Sequence, residues 1–237
     1  MLEGIFSGRT RVLDLAHAIN DRLVSWPGDE RTFEAEINAS FEKNGYFTRS
    51  FWMLEHYGTH LDAPIHFVRG GATLDQLPAQ QFFGPCVVLD VRAQAAANPD
   101  FAAPFEVIDA WEARHGKIPA GAIVLLRTGW AARWPNAELY RNQDSAGRMH
   151  FPGFSVAAVE RCIQRKANGI GCDTMSVDVG ASEGFPVHLA TGRAGLYHLE
   201  NLSDLSQLPE TGAWLVVAPI KLEGGSGGPV RVFALLP

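Results

Sequence analysis

The chain has 237 residues, 46% of them hydrophobic and 19% charged, with a formal net charge of −6. A chain of this length buries a substantial core without needing a disulfide or structural metal to fold, and its acidic balance argues against nucleic acid or an anionic membrane as partner. The start, MLEGIFSGRTRVLDLA, lacks the apolar core of a signal peptide, and no apolar run approaches the ~18 residues of a membrane span; a soluble, cytoplasmic protein is expected.

In chain order, RVLDLAHAI predicts a first strand, and Trp26 to Glu30 (WPGDE) a turn by its Pro-Gly-Asp content. From Phe33, FEAEINASFEK alternates apolar and polar residues as a half-buried strand does, and YFTRSFWML, from Tyr46, is rich in strand formers. Gly45 falls at the turn between them, which predicts a hairpin. Beyond a histidine-rich stretch, CVVLDV and AIVLLRTGW read as buried strands bounded by Gly and Pro. Between these two, PFEVIDAWEARHG predicts a helix from the spacing of Phe105, Ile108 and Trp111, with Gly116 as its stop. The long polar loop from Trp134 to Gly153 covers a site or is an insertion.

SVAAVERCIQRKANG predicts a second helix, with Ser155 as N-cap, Val156, Val159 and Ile163 on one face, and Gly169 just past its end. IGCDTMSVD, WLVVAPI and VRVFALLP supply the last strands. With no repeat, low-complexity tract or linker, residues 1–237 are expected to form a single α/β (α+β) domain. Cys86, Cys162 and Cys172 form no C-x-x-C pair and sit in apolar settings, so they read as small buried hydrophobes of a reducing compartment.

The chemistry concentrates in HYGTHLDAPIH, residues His56 to His66, which holds three of the chain's eight histidines. A helix would point Asp62 and His66 away from His56 and His60, and Gly58 and Pro64 both oppose one. In an extended chain, positions 56, 60, 62 and 66 share a parity and project to one side. A straight strand would spread them over ~33 Å, so the chain must bend, at Gly58 and Pro64. The flanks WML and PIHF are apolar, which places the group in or beside the core, where unpaired polar groups are costly. Imidazole nitrogens with a carboxylate oxygen suit Zn²⁺ or Mn²⁺.

At these positions the sequence resembles H-x-G-T-H-x-D-x-P-x-H, the signature of the metal-dependent cyclase hydrolases. That family includes bacterial kynurenine formamidases (arylformamidases) and isatin hydrolases. The turn Trp26-Pro27-Gly28-Asp29, the late histidine and E-N-L of FPVHLATGRAGLYHLENL, and the closing GGSGGPVRVFALL extend the resemblance along nearly the whole chain. It implies a layered β/β/α fold, and a homo-oligomer (dimer or tetramer) with the site near a subunit contact. His56, His60 and Asp62 would bind a first metal; in the formamidase branch Asp62 would reach a second, completed by His188 and Glu200, whereas isatin hydrolases use one. His66 would be the proton donor and acceptor, and Trp26 would line the pocket for a small aromatic amide or lactam. The implied reaction is attack of a metal-held hydroxide on a carbonyl carbon, with His66 protonating the leaving amine. The carboxylate at Glu200 ranks an arylformamidase, converting N-formyl-L-kynurenine to L-kynurenine and formate, ahead of an isatin hydrolase-like lactam or lactone hydrolase.

His17, His115 and His150 stand alone and read as surface or satisfied polar residues. His198, two residues before Glu200, is placed to orient a ligand by a hydrogen bond. Asp173 and Asp178, at the ends of a strand-like run, read as capping or turn residues, and Gly224 to Pro229 (GGSGGP) as a tight turn without a P-loop ending. The rival from another class is a non-catalytic metal- or ligand-binding protein, which would not require His66. A serine hydrolase would need a G-x-S-x-G elbow, which the chain lacks.

Overall fold

The structure, a computed structural model, describes residues 2–134 and 136–236. In chain order its strands are β1 (Val12–Asp14), β2 (Phe33–Ala39), β3 (Thr48–Met53), β4 (His60–Asp62), β5 (Phe83–Asp90) and β6 (Ala102–Ala103). There follow β7 (Ile123–Arg127), β8 (Gly153–Phe154), β9 (Gly169–Cys172), β10 (Tyr197–Glu200), β11 (Trp214–Pro219) and β12 (Gly227–Leu235). The main sheet runs β1-β12-β11-β5-β7-β9-β10-β4, and β4 pairs again with the start of β12, Gly227 opposite Asp62. Seven strands thereby close into a barrel-like ring, with β1 attached outside it. β5, β7, β9 and β10 are mutually parallel, and helices lie in the connections between them. The result is a mixed α/β fold.

The continuous apolar runs of β5 and β7 follow from cover on both faces. Cys86, Val88 and Leu125 join Leu61, Leu199, Leu215 and Val232 in one core. Their neighbours Val87, Leu89, Val124 and Leu126 pack with Ile108, Trp111 and Val159, from the helices Phe105–His115 and Val156–Gln164, in another. The first of these helices stops at Gly116, at φ 84°, as the sequence predicts. The second begins at Ser155, whose hydroxyl accepts the Ala158 N–H, but it ends at Gln164, five residues before Gly169. Gly169 instead opens β9, where a Cβ would lie 2.5 Å from the Tyr197 ring, so a packing demand and not a cap fixes it as glycine. All three cysteines are buried free thiols.

The predicted hairpin is present as β2 and β3, joined by a short helix (Phe41–Asn44) and Gly45. Its strands are not half-buried. Register places Phe33, Ala35, Ile37, Phe51 and Met53 on one face with a single charged residue, Arg49, yet Ile37 and Phe51 are each 62% exposed. A two-stranded ribbon is marginal by itself, and no described residue covers this face.

The predicted first strand shortens to Val12–Asp14. Downstream, the His17 ring stacks on Trp134 at 4.2 Å, and burial pushes its pKa down to about 4. In the predicted loop from Trp134 to Gly153, Pro135 lies outside the described residues; the rest is neither a lid nor a loose insertion. It contains a short helix, Ala137–Arg141, whose buried Tyr140 hydroxyl has its one hydrogen within reach of the Asp173 carbonyl at 3.1 Å and of Asn201 Oδ1 at 3.0 Å. Arg141 donates to the Ser25 carbonyl at 2.9 Å, pinning the turn that carries Trp26. Among the described residues no helix is long and apolar enough to cross a membrane.

Candidate metal centre

The chain bends where the histidine stretch requires. Gly58 adopts φ 67°, a conformation glycine enters without Cβ strain, and Pro64 starts a 3₁₀ turn ending at His66. Between these bends lies β4. Antiparallel β10 sets His198 opposite Asp62 and Glu200 opposite His60. These four side chains therefore share one face of the sheet, while Leu61 and Leu199 join the core on the other. His188 arrives from the helix Pro186–Arg193.

Hydrogen bonds fix which nitrogen each imidazole presents. His60 Nδ1 donates to the Gly58 carbonyl at 2.9 Å, which leaves Nε2 at 3.2 Å from Asp62 Oδ1 and 3.5 Å from Glu200 Oε2. His188 Nδ1 donates to Asp178 Oδ2 at 2.6 Å, and its Nε2 stands 3.2 Å from both Asp62 Oδ2 and Glu200 Oε1. His56 Nδ1 lies 2.7 Å from Asp62 Oδ1. Its Nε2 meets Ser226 Oγ at 2.8 Å, and that hydroxyl donates to Glu55 Oε2 at 2.6 Å. The His66 ring stacks on His56 at 3.8 Å and is the most solvent-exposed of this group.

The charges are strongly coupled. Burial opposes ionisation of Asp62, but His56 and His60 beside it, with hydrogen bonds from His188, hold its carboxyl well below the usual range. Burial likewise opposes protonation of His60, yet Asp62 and Glu200 lift it to about 9. His188 is also raised: burial disfavours its charge, and hydrogen bonds to Asp178, Asp62 and Glu200 outweigh that penalty. Desolvation by the pocket walls pushes His66 down to about 4. Two buried carboxylates thus draw protons onto buried imidazoles, a compensating charge that a divalent cation supplies with release of those protons.

The donor set fits such a cation. Donor atoms of His60, Asp62 and Glu200 lie within 4.8 Å of one another, as do those of Asp62, His188 and His198, and of His56, Asp62 and His66. Among the described residues His198 Nδ1 is buried without a partner at hydrogen-bond distance, Asp62 Oδ2 being 3.7 Å away. The metal or metals that the family resemblance implies therefore have suitable ligands here.

Above this floor is a cavity of about 480 Å³ walled by Trp26, Phe67, Met175 and Phe185, with His56, His60, His66, His188 and Glu200 facing into it. The Trp26 and Phe185 rings stand 6.0 Å apart, and Phe67 is 4.8 Å from Phe185. Phe185 holds φ 51°, an unfavourable left-handed conformation for a bulky residue, at the start of the helix that delivers His188. Among the described residues no lysine or arginine lines the cavity, while Asp29 and Glu55 do.

All of the predicted site residues come together. His56, His60, His66, His188, Glu200 and Trp26 line one cavity, and Asp62 lies at its floor, 1% exposed. Sequence reading missed several supporting residues. Asp178, read as a cap or turn, does accept the backbone N–H groups of Val187 and His188, but it also fixes the His188 ring. Ser226 and Glu55 hold His56, and a Cβ at Gly227 would lie 2.5 Å from His56 Cε1, so GGSGGP is more than a turn. Asn201 ties Gly58 to the long loop, donating to the Gly58 carbonyl at 3.0 Å. Asp173 stays out of the cavity and accepts from Thr128 and Gly129. His150 pairs with Asp100 and Asp144, and His115 with Glu210.

Comparison with known proteins agrees with this geometry. The Cyclase family model, described as "Putative cyclase", matches residues 13–179. An isatin hydrolase of Roseibium aggregatum is 36% identical over 98% of this chain and 94% of its own length. A kynurenine formamidase of Salinibacter ruber is 28% identical over 93% of this chain and 95% of its own. The structure of isatin hydrolase A from Ralstonia solanacearum superposes with a TM-score of 0.91 at 36% identity, covering 100% of this chain and 95% of that one.

Proposed function

The chain belongs to the Cyclase family, its relatives being hydrolases of carbon–nitrogen bonds other than peptide bonds, and from this premise we propose that it opens a small neutral aryl lactam of the isatin type. The observation that carries the choice is the aromatic cavity without lysine or arginine. N-formylkynurenine enters as a zwitterion: Asp29 and Glu55 could face its ammonium group, but its carboxylate meets no cationic side chain among the described lining residues, at a desolvation cost. A planar neutral lactam meets the Trp26 and Phe185 rings with no such penalty. The greater identity to an isatin hydrolase than to the formamidases points the same way, reversing the order suggested by Glu200 alone. The formamidase reading keeps one observation in its favour: Glu200 does lie between His60 and His188, as a site for a second cation requires.

In this reading His56, His60 and Asp62 hold a first Zn²⁺ or Mn²⁺, and Asp62, His188 and Glu200 form the place for a second. A bound cation supplies Lewis acidity, favouring ionised water near neutral pH and stabilising the developing oxyanion. His66, neutral at pH 7 because desolvation lowers its pKa, accepts a proton at the cavity wall and returns it to the departing nitrogen. Trp26 and Phe185 orient the ring so that its carbonyl faces the histidine floor. Gly58 and Asp178 hold His60 and His188 with Nε2 toward the reacting space.

We assign residues 1–237 to one domain, place the protein in the cytoplasm on the strength of its buried free thiols, and assign the apolar face of the hairpin to a second copy of the chain in a homo-oligomer. Turnover of isatin and of N-formyl-L-kynurenine by the metal-loaded protein tests the substrate reading. The expected kcat/KM is at least tenfold higher for isatin, read by ring-opening absorbance. The reverse ratio would return the assignment to a formamidase.

A further inference from the structure

His198 has a hydrogen-bonding pattern that a purely structural histidine would not need. It faces Asp62 across the β10–β4 ladder and is 4% exposed. Its Nε2 lies against the Thr191 hydroxyl, and that oxygen is also 2.7 Å from the Val187 carbonyl and 3.3 Å from the His188 carbonyl. A hydroxyl has one hydrogen to donate. If Thr191 gives it to Val187, its oxygen accepts the His198 Nε2–H, and Nδ1 carries a bare lone pair. If Thr191 gives it to His198, Nδ1 must carry a proton whose one nearby acceptor among the described residues is Asp62. Its nearer oxygen, Oδ2, is 3.7 Å away, too far for a good hydrogen bond. A buried N–H without an acceptor is the costlier arrangement, so donor bookkeeping selects the Nε2–H tautomer.

The exposed-to-nothing lone pair is aimed at a cation position. Asp62 Oδ2 is 3.7 Å from His198 Nδ1 and 3.2 Å from His188 Nε2, and the two rings meet edge-on at 4.6 Å. Ligands of one ion held at ~2.0–2.2 Å stand roughly 3–3.6 Å apart, close to these separations. We infer that His198 Nδ1 is a direct ligand of a divalent cation shared with Asp62 and His188, and that Thr191 sets the tautomer allowing it. This rests on the metal-binding reading above and adds to it a nitrogen ligand and the hydroxyl that prepares it.

The test uses the full chain, ¹⁵N-labelled at histidine, stripped of metal and titrated with ¹¹³Cd²⁺. Two-bond ¹H–¹⁵N correlations are expected to show His198 as the Nε2–H tautomer before addition. Cd²⁺ then shifts its Nδ1 and produces a ¹¹³Cd–¹⁵N coupling there. In chelator competition, His198→Gln is expected to weaken one cation by more than tenfold, and Thr191→Val by about tenfold, the scale of lost outer hydrogen bonds to a ligand. Cd²⁺ signals at His56, His60 or His188 with an unshifted His198 would overturn this inference and leave the metal-binding reading standing. No shift at any of the four histidines would overturn both.

Discussion

Asp62→Asn is expected to abolish cation binding and hydrolysis together. Asp62 is the one side chain that reaches His56, His60 and His188 at once, at 2.7, 3.2 and 3.2 Å. It is also 1% exposed, so no water-borne charge replaces it. The carboxamide keeps the shape and removes the negative charge on which the proposed cation site depends. The expected loss of affinity exceeds the 10–100-fold typical of groups that merely orient a ligand. Metal analysis after dialysis should find little metal, with lactam hydrolysis at background; a circular dichroism spectrum like that of the parent chain excludes misfolding as the cause. Full metal content in this variant would mean the cation is held elsewhere.

His66→Ala is expected to separate chemistry from metal retention. His66 sits at the end of the 3₁₀ turn, stacked on His56 and open to the cavity. Removal of a positioned general acid–base costs about 10²–10⁴-fold in turnover, so kcat should fall by that factor with metal content unchanged. Desolvation holds the pKa of His66 below its ordinary value. The neutral, proton-accepting form is therefore present at neutral pH and disappears as pH falls through the lowered pKa. The variant should lose that limb of the kcat profile. Loss of metal on this substitution would make His66 a ligand.

Much of the centre is legible in eleven residues because the information there is local. Parity aligns only His60 and Asp62, the two in β4; His56 and His66 are brought to them by the bends at Gly58 and Pro64, not by a continuous extended strand. The spacing between Glu200 and His198 carries the same parity signal, but its meaning depends on β10 pairing with β4, a contact between segments more than 130 residues apart. Ser226 is similarly invisible beforehand, since it acts through a histidine 170 residues away, and Asp178, ten residues before His188, meets it only through the irregular turn between them. The apolar runs of β5 and β7 announce buried strands, whereas the ring closes through β4, three residues long and dominated by its polar functional groups. Hydrophobic patterning fails there because the site occupies the strand. The hairpin shows the opposite limit: alternation predicts β2 and strand-former content predicts β3, yet neither reports whether the face they share is covered, and it is largely exposed.

On this reading, the floor of histidines and carboxylates hydrolyses an aryl carbon–nitrogen bond only with a divalent cation in place. The most direct test is isatin ring opening measured on one preparation before chelation, after chelator treatment and dialysis, and after readdition of Mn²⁺ or Zn²⁺. The expected result is activity lost with the metal and restored by one of these ions in proportion to the amount bound. Undiminished hydrolysis by protein shown to be metal-free would contradict the account.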